Sequence, residues 1–281
     1  MNASTLESIS LSFASGNVIP YLGPGVLALK YSGSEIPASP LALVGRLIAK
    51  SSVPFKIKKN LGAAAQFIEN FKHRRTVSAA MTEAFELDAE PTELHILLAD
   101  MPALPLVVHA WYDDLPQKAL RGRSSWGIVQ GVSQAEKFGN WVHYYNADGT
   151  LAGVASDDPR FDWKTLLYQP LGSVWPEHNY LVSDSDFVEV LTEIDIQTPI
   201  PPVVQEIRKG RNFLFLGCRF SSQLERIFAH QIMKRSSEKH WAVLPEEPTR
   251  NEVRFLERHN IERIPVTLND FVTNFSSQHL L

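Results

Sequence analysis

Apolar positions along this chain follow two periods, and the changes between them mark out its elements. Residues 4–16 carry a helical period and predict a short amphipathic helix. Asn17–Leu22 is a short apolar strand, which Gly23-Pro24-Gly25 ends. Tyr31–Pro40, with Gly33, Pro37 and Pro40, predicts a loop. From Leu41 to about Leu98 the pattern is mostly helical. Leu41, Val44, Leu47 and Ile48 fall at i, i+3, i+6 and i+7 and predict one buried helix face. Ala63-Ala64-Ala65 with Phe67, Ile68 and Phe71 predicts a second. Pro91-Thr92-Glu93 opens a third helix, with proline in its first turn and Leu94, Leu97 and Leu98 on its apolar side.

Beyond that point strands dominate. Leu104–Ala110 is a continuous apolar run with a β-branched centre, which predicts a strand buried in a parallel sheet. Strands follow at Gly127–Val132, Trp141–Tyr145, Thr150–Val154 and Leu166–Tyr168. Asp148-Gly149 predicts a hairpin turn. Helices at Asp186–Ile194 and Pro202–Lys209 lead to Asn212–Gly217, the clearest buried strand. A helix at Gln223–Lys234, a strand at Trp241–Leu244, a helix at Arg250–Arg258, a strand at Arg263–Val266 and a last helix complete the chain. Alternating strands and helices predict a doubly wound, Rossmann-like α/β fold with a parallel sheet.

Composition narrows the function. With 281 residues, the chain suffices for one large α/β domain with an insertion, or for two small domains. One cysteine, Cys218, leaves no internal disulfide and no four-cysteine zinc site, and no metal is expected. A formal net charge of -4 argues against broad binding to nucleic acid or membrane surfaces. No apolar run reaches the ~18 residues of a membrane span. The start, Met1-Asn2-Ala3-Ser4, lacks a secretory pattern, so a cytoplasmic location is expected. Basic clusters at Lys56-Ile57-Lys58-Lys59 and His73-Arg74-Arg75 are either solvated helix faces or patches that meet an anionic ligand.

Tyr21-Leu22-Gly23-Pro24-Gly25-Val26 carries the first chemical hint. A parallel strand stopping at Gly-x-Gly presents backbone N–H groups at the sheet's carboxyl edge, where a phosphate can sit. Pro24 removes one of those donors.

The ordered set of segments resembles the SIR2-like family over about residues 15–270. Asn17–Val26 is similar to its opening strand and glycine loop, and Ile36-Pro37-Ala38-Ser39-Pro40-Leu41 to the segment after that loop. Pro91–Leu98 and Leu106–Leu115 resemble a helix and a Thr-Thr-Asn-Tyr-Asp-Asp-Leu motif. Gln169–Val174 falls where the family has His-Gly, and Asn179–Glu189 is similar to the stretch that follows. Phe213–Ser222 resembles a late strand and glycine turn, and His259–Val266 the closing strand. The resemblance implies one SIR2-like domain over 1–281, with a helical insertion at 38–95. It implies NAD or an ADP-ribose-like nucleotide between insertion and sheet, held by Gly23, Pro24, Gly25, Val26, Trp111, Tyr112, Asp113, Gly172, Gly217, Ser221 and Ser222.

The departures from the family are chemical. Its Asn, which orients a water or the nicotinamide ribose, is replaced by Trp111, with a single N–H donor. Its general-base His is replaced by Leu171, which moves no proton. Leu27 and Ser222 stand where the family has Ser and Asp. Asp113 and Asp114 remain, as caps of a helix or as catalytic candidates. His109, two residues before Trp111, would share its side of a strand. Glu35, Glu93 and His95 could line the cleft, while His143, His178, His230 and His240 show no ligand spacing.

Three functions are therefore carried forward. The leading one is a degenerate SIR2-like protein that binds or senses NAD or a related adenine nucleotide, with Trp111 lining or filling the pocket. The second is an active NAD hydrolase using His109, Asp113 or Asp114. The third is an interaction module, in contact with a protein partner or a second copy of itself through exposed Trp126, Trp141, Tyr144 and Tyr145.

Overall fold

The computed structural model describes residues 3–31, 36–154, 162–193 and 200–279. Helix α1 (Ala3–Ala14) and strand β1 (Val18–Leu22) lead to a 3-10 turn, Pro24–Leu29. Helices α2 (Pro40–Lys50), α3 (Leu61–Lys72) and α4 (Arg74–Phe85) follow, then α5 (Glu93–Ala99), β2 (Leu106–His109) and α6 (Leu115–Leu120). Next come β3 (Trp126–Gly131), β4 (Val142–Asn146), β5 (Leu151–Val154) and β6 (Thr165–Gln169), and the short pair β7 (Gly172–Ser173) and β8 (Asn179–Tyr180). The rest alternates: α7 (Asp184–Glu193), α8 (Pro202–Arg208), β9 (Asn212–Leu216), α9 (Gln223–Met233), β10 (His240–Val243), α10 (Arg250–Arg258), β11 (Ile261–Ile264) and α11 (Leu268–His279).

Among the described residues nine strands form one sheet, in the order β11-β10-β9-β1-β2-β6-β3-β4-β5. Neighbours from β11 to β3 pair in parallel, and β4 pairs antiparallel with both β3 and β5, so it alone runs against the rest of this sheet among the described residues. This is the α/β, Rossmann-like architecture expected from the alternating pattern. Alternate residues of β1 face opposite cores, as a strand's period of two requires: Ile19 and Tyr21 enter one, Val18 and Leu22 the other. The first core is covered by α7 to α10 and the second by α1, α5 and α11. Strand order reverses at β1, where β9 lies on one side and β2 on the other, and such a switch point opens a crevice at the strands' carboxyl ends.

Helices α2 to α4 form a third core with Leu27, Trp111, Tyr112 and Tyr180. A buried polar network ties them to the body. Arg74 Nη1 lies 2.7 Å from Asp186 Oδ2 and 3.1 Å from Glu69 Oε2, while its Nε lies 3.2 Å from Glu136 Oε1. Burial alone would push the Arg74 pKa down. The Asp186 carboxylate, with Glu136 and Glu69, outweighs burial and raises it.

Some local expectations shift. The α2 stripe centres on Leu43, Val44 and Leu47, so Leu41 is exposed. Phe71, in the last turn of α3, is exposed and stacks on Phe67 at the surface, 4.4 Å between centroids. Pro91 precedes the α5 cap, which is Thr92. The last strand starts two residues earlier than expected, at Ile261, to pair with His240. Of the four aromatics expected to be exposed, Trp126, Tyr144 and Tyr145 are buried in the two cores of the sheet, and Trp141 is half-buried against the first. No helix among the described residues is long and apolar enough to cross a membrane.

Candidate functional site

The crevice at the carboxyl ends of β1, β2 and β9 is a cleft of about 520 Å³, within the usual range for small-molecule sites. One wall is the exit of β1 and β9 with the start of α9: Gly23, Pro24 and Cys218 to Glu225. The other is Trp111, Tyr112 and Leu171. The insertion supplies the roof through Pro40 and Lys59 to Gly62. Of the residues expected to hold a nucleotide, Gly23, Pro24, Trp111, Tyr112, Ser221 and Ser222 line this cleft. Gly25, Val26, Asp113, Gly172 and Gly217 lie behind its surface, and Leu171 rather than Gly172 faces it.

The glycine turn is held by a second loop. Gly23 N–H donates to the Leu216 carbonyl and Gly25 N–H to the Gly217 carbonyl, each at 2.9 Å. Val26 N–H donates to Gly23 O at 3.2 Å. Three amides suited to a phosphate thus have protein partners. The glycines serve the contact between the loops. A Cβ on Gly25 would lie 2.8 Å from Gly217 O, and one on Gly217, where φ is +65°, would lie 2.4 Å from Val26 N. Burial, with the Glu225 charge, pushes the Cys218 thiol well up, so it acts as a packed apolar group.

The opposite wall has spent its polar atoms. Trp111 Nε1 donates to the Pro37 carbonyl at 2.9 Å, and Tyr112 Oη donates to the Leu181 carbonyl at 2.8 Å. Trp111 is 3% exposed, wedged between Phe85 and Tyr112. It both builds the insertion's core and shows a face to the cleft. Leu171 adds only hydrocarbon. The side-chain donors of this wall are thus both spent on backbone carbonyls.

His109, Asp113 and Asp114 do not reach the cleft. His109 Nε2 lies 3.1 Å from the Asp113 carbonyl oxygen and 3.2 Å from Asp113 Oδ2, with both side chains buried. The expected common side of His109 and Trp111 fails because β2 ends at His109 and strand alternation ends with it. Burial works to raise the Asp113 pKa, but His109 beside it prevails and holds the carboxyl below its usual value. Asp113 Oδ1 accepts from Leu115 N–H at 3.1 Å at the start of α6, and Asp114 pairs with Lys118 at 3.0 Å. Both aspartates thus secure the strand exit. His95 is buried in the α5 capping box, its Nδ1 3.2 Å from Thr92 N, rather than in the cleft. Glu93 is exposed outside it, and Glu35 lies outside the described residues.

Residues 105–264, more than half the chain, match the model of the SIR2-like domain. The chain belongs to the SIR2-like family. The match begins at β2 and ends at β11, so it takes in the Trp111 and Leu171 wall and α9 but not the glycine turn. No curated protein matches the chain. The SIR2-like family is NAD-related.

Within this SIR2-like cleft several groups escaped the reading of the sequence. Glu225 is the only carboxylate among the described lining residues. It closes the α9 capping box, with Oε2 accepting from Ser222 N–H at 2.8 Å and the Ser221 hydroxyl at 3.3 Å. Ser222-x-x-Glu225 is a capping-box signature, so that pairing was readable. Asn60 joins them from the start of α3, beside Lys59, whose basic cluster the sequence had already offered as a patch for an anion. Asn60 Oδ1 caps α3 by accepting from Ala63 N–H at 3.1 Å, and Lys59 beside it is exposed. The other basic cluster, His73-Arg74-Arg75, sits at the far end of α3. Among the described residues, no group of three or more His, Cys, Asp or Glu could hold a metal.

Proposed function

We propose that this SIR2-like domain is catalytically degenerate and binds or senses an adenine nucleotide in the cleft. One observation carries the reading: the cleft is open, while the side-chain donors of its Trp111–Tyr112–Leu171 wall are already bonded to backbone carbonyls and none of the three can act as a base at neutral pH. NAD cleavage needs a group that positions water or the ribose and one that moves a proton. Glu225, the nearest carboxylate, is committed to the start of α9.

The residues fit one end of NAD better than the other. Lys59 supplies a positive charge for phosphates, Asn60, Ser221 and Ser222 supply hydrogen bonds for a ribose, and Phe187 and Phe220 supply apolar surface for a base. A nicotinamide amide would find no partner on the Trp111 wall, and an unpaired buried amide costs about 1–3 kcal/mol. The reading therefore favours ligands with the adenine and phosphate portion, ADP-ribose among them.

A proton NMR time course of NAD with substoichiometric protein tests it. Unchanged NAD with broadened adenine resonances is the expected result, and ADP-ribose should raise Tm. Release of free nicotinamide would overturn the degenerate assignment. Sharp NAD signals with no Tm response to ADP-ribose would overturn nucleotide binding.

A further inference from the structure

The outer faces of α9 and α10 enclose a second concave site, an open groove of about 840 Å³. Arg226 and His230 enter it from α9, and Arg254 and Arg258 from α10, with His259 just beyond. A spacing of four residues sets successive cationic positions ~6 Å apart along each helix. Glu257 is the only carboxylate among the described lining residues. Around the groove, arginines are neutralised: Arg219 pairs with Glu246 and Glu252, and Arg263 with Glu247. Arg254 and Arg258 join none of these pairs and are exposed. Arg226 is anchored at the rim, its Nη1 donating to the carbonyls of Phe220 and Ser221.

The two imidazoles make the crowding sharper. His230 and His259 stack with centroids 4.4 Å apart and planes at 32°, and Phe255 packs on His259 at 4.8 Å. His230 Nδ1 is buried without a hydrogen-bond partner. Three guanidiniums and two imidazoles against one carboxylate, on a chain of net charge -4, is a repulsive grouping that an anion relieves. Guanidinium groups match phosphate oxygens in geometry as well as charge.

We propose that the α9–α10 groove binds a small oligophosphate anion, at a site separate from the cleft. The chain's net negative charge disfavours a long nucleic acid. Helix α9 divides the two sites, and among the described residues only Gln223 borders both. The inference holds whether or not the cleft takes a nucleotide.

Proton uptake should accompany binding. Burial, then Lys234 and Arg258, push the His230 pKa down; burial, then His230 and Arg258, do so for His259. The charged and titratable groups facing this pair are Arg226 and Lys234 from α9, Arg254, Glu257 and Arg258 from α10, and His240 from β10 beneath. An anion favours the protonated imidazoles, so affinity should rise as pH falls.

Calorimetric titration with inorganic tripolyphosphate at low salt tests the site. We expect saturable binding, tighter at pH 6 than at pH 8, and weakened at least tenfold in an Arg254→Glu/Arg258→Glu double variant. Both positions are exposed, so the variant should fold. A Lys59→Ala variant, altered only at the cleft, should bind tripolyphosphate as the parent does. The proposal fails if binding does not saturate, if the double variant binds equally well, or if Lys59→Ala abolishes binding. It fails also if a single-stranded oligonucleotide binds and tripolyphosphate does not.

Discussion

The two walls of the cleft are built by opposite means. The β1–β9 wall is made by backbone: two glycine loops in contact, the amides of Gly23 and Gly25 donating to the carbonyls of Leu216 and Gly217, with Ser221 and Ser222 at the cleft. The Trp111–Tyr112–Leu171 wall is made by large side chains, Trp111 and Tyr112 buried, with both side-chain donors already used. One wall keeps capacity to hold a polar ligand, and the other has been given over to packing. The cleft therefore stays open although one of its walls is part of a core.

Removing Trp111 tests that division most severely. Trp111→Ala leaves a cavity between Phe85 and Tyr112 and should cost about 3–5 kcal/mol in urea unfolding. ADP-ribose affinity of the folded variant should stay within roughly threefold, as a wall whose side-chain donors are spent predicts. A collapse of affinity would mean that this wall binds the ligand.

Gly217→Ala strikes the backbone wall. Its φ of +65° and the 2.4 Å approach to Val26 N predict a loss of about 3 kcal/mol, together with loss of ADP-ribose binding. Chemical denaturation and titration calorimetry on the same sample separate the two effects. If binding survives, the glycine contact does not shape the site.

Acid should loosen the framework that carries both walls. Burial, with a smaller part from His109, lowers the His95 pKa to about 4, and burial, then His259, lowers that of His240 to about 4. Phe213 N–H donates to His240 Nδ1 at 2.9 Å, a bond that protonation would break. In the unfolded chain both imidazoles take up protons near pH 6.5. Below that value the unfolded state holds more protons, so stability is full above pH 6.5 and falls as pH drops toward 4. Urea midpoints at pH 7.5, 6 and 5 should decline in that order, and a flat series would contradict the buried neutral state of both residues.

The smallest expected effect lies at the rim. Lys59→Ala should weaken ADP-ribose by roughly threefold to tenfold, more at low salt than at high salt, with no change in Tm. Equal affinity at low salt would remove Lys59 from the phosphate end.

Much of the fold was legible because its signals are local. Buried parallel strands such as Phe213-Leu214-Phe215-Leu216 are continuous apolar runs, and Asp148-Gly149 announces its hairpin with Gly149 at φ +85°. That Trp111 and Leu171 carry no proton-moving group was also plain, since a side chain's proton chemistry is fixed by its identity. The fate of each polar atom was not. The amides of Gly23 and Gly25 were read as phosphate donors, but a loop almost two hundred residues away accepts them. His109 was placed beside Trp111 by strand alternation, yet the strand ends between them. The sequence by itself determined the order of elements, the parallel sheet and the types of residue available for chemistry, because these depend on neighbours along the chain. Tertiary structure decided which groups face the cleft, which donors are spent and where unpaired cations gather, because hydrogen bonds and charges are settled among groups distant in sequence.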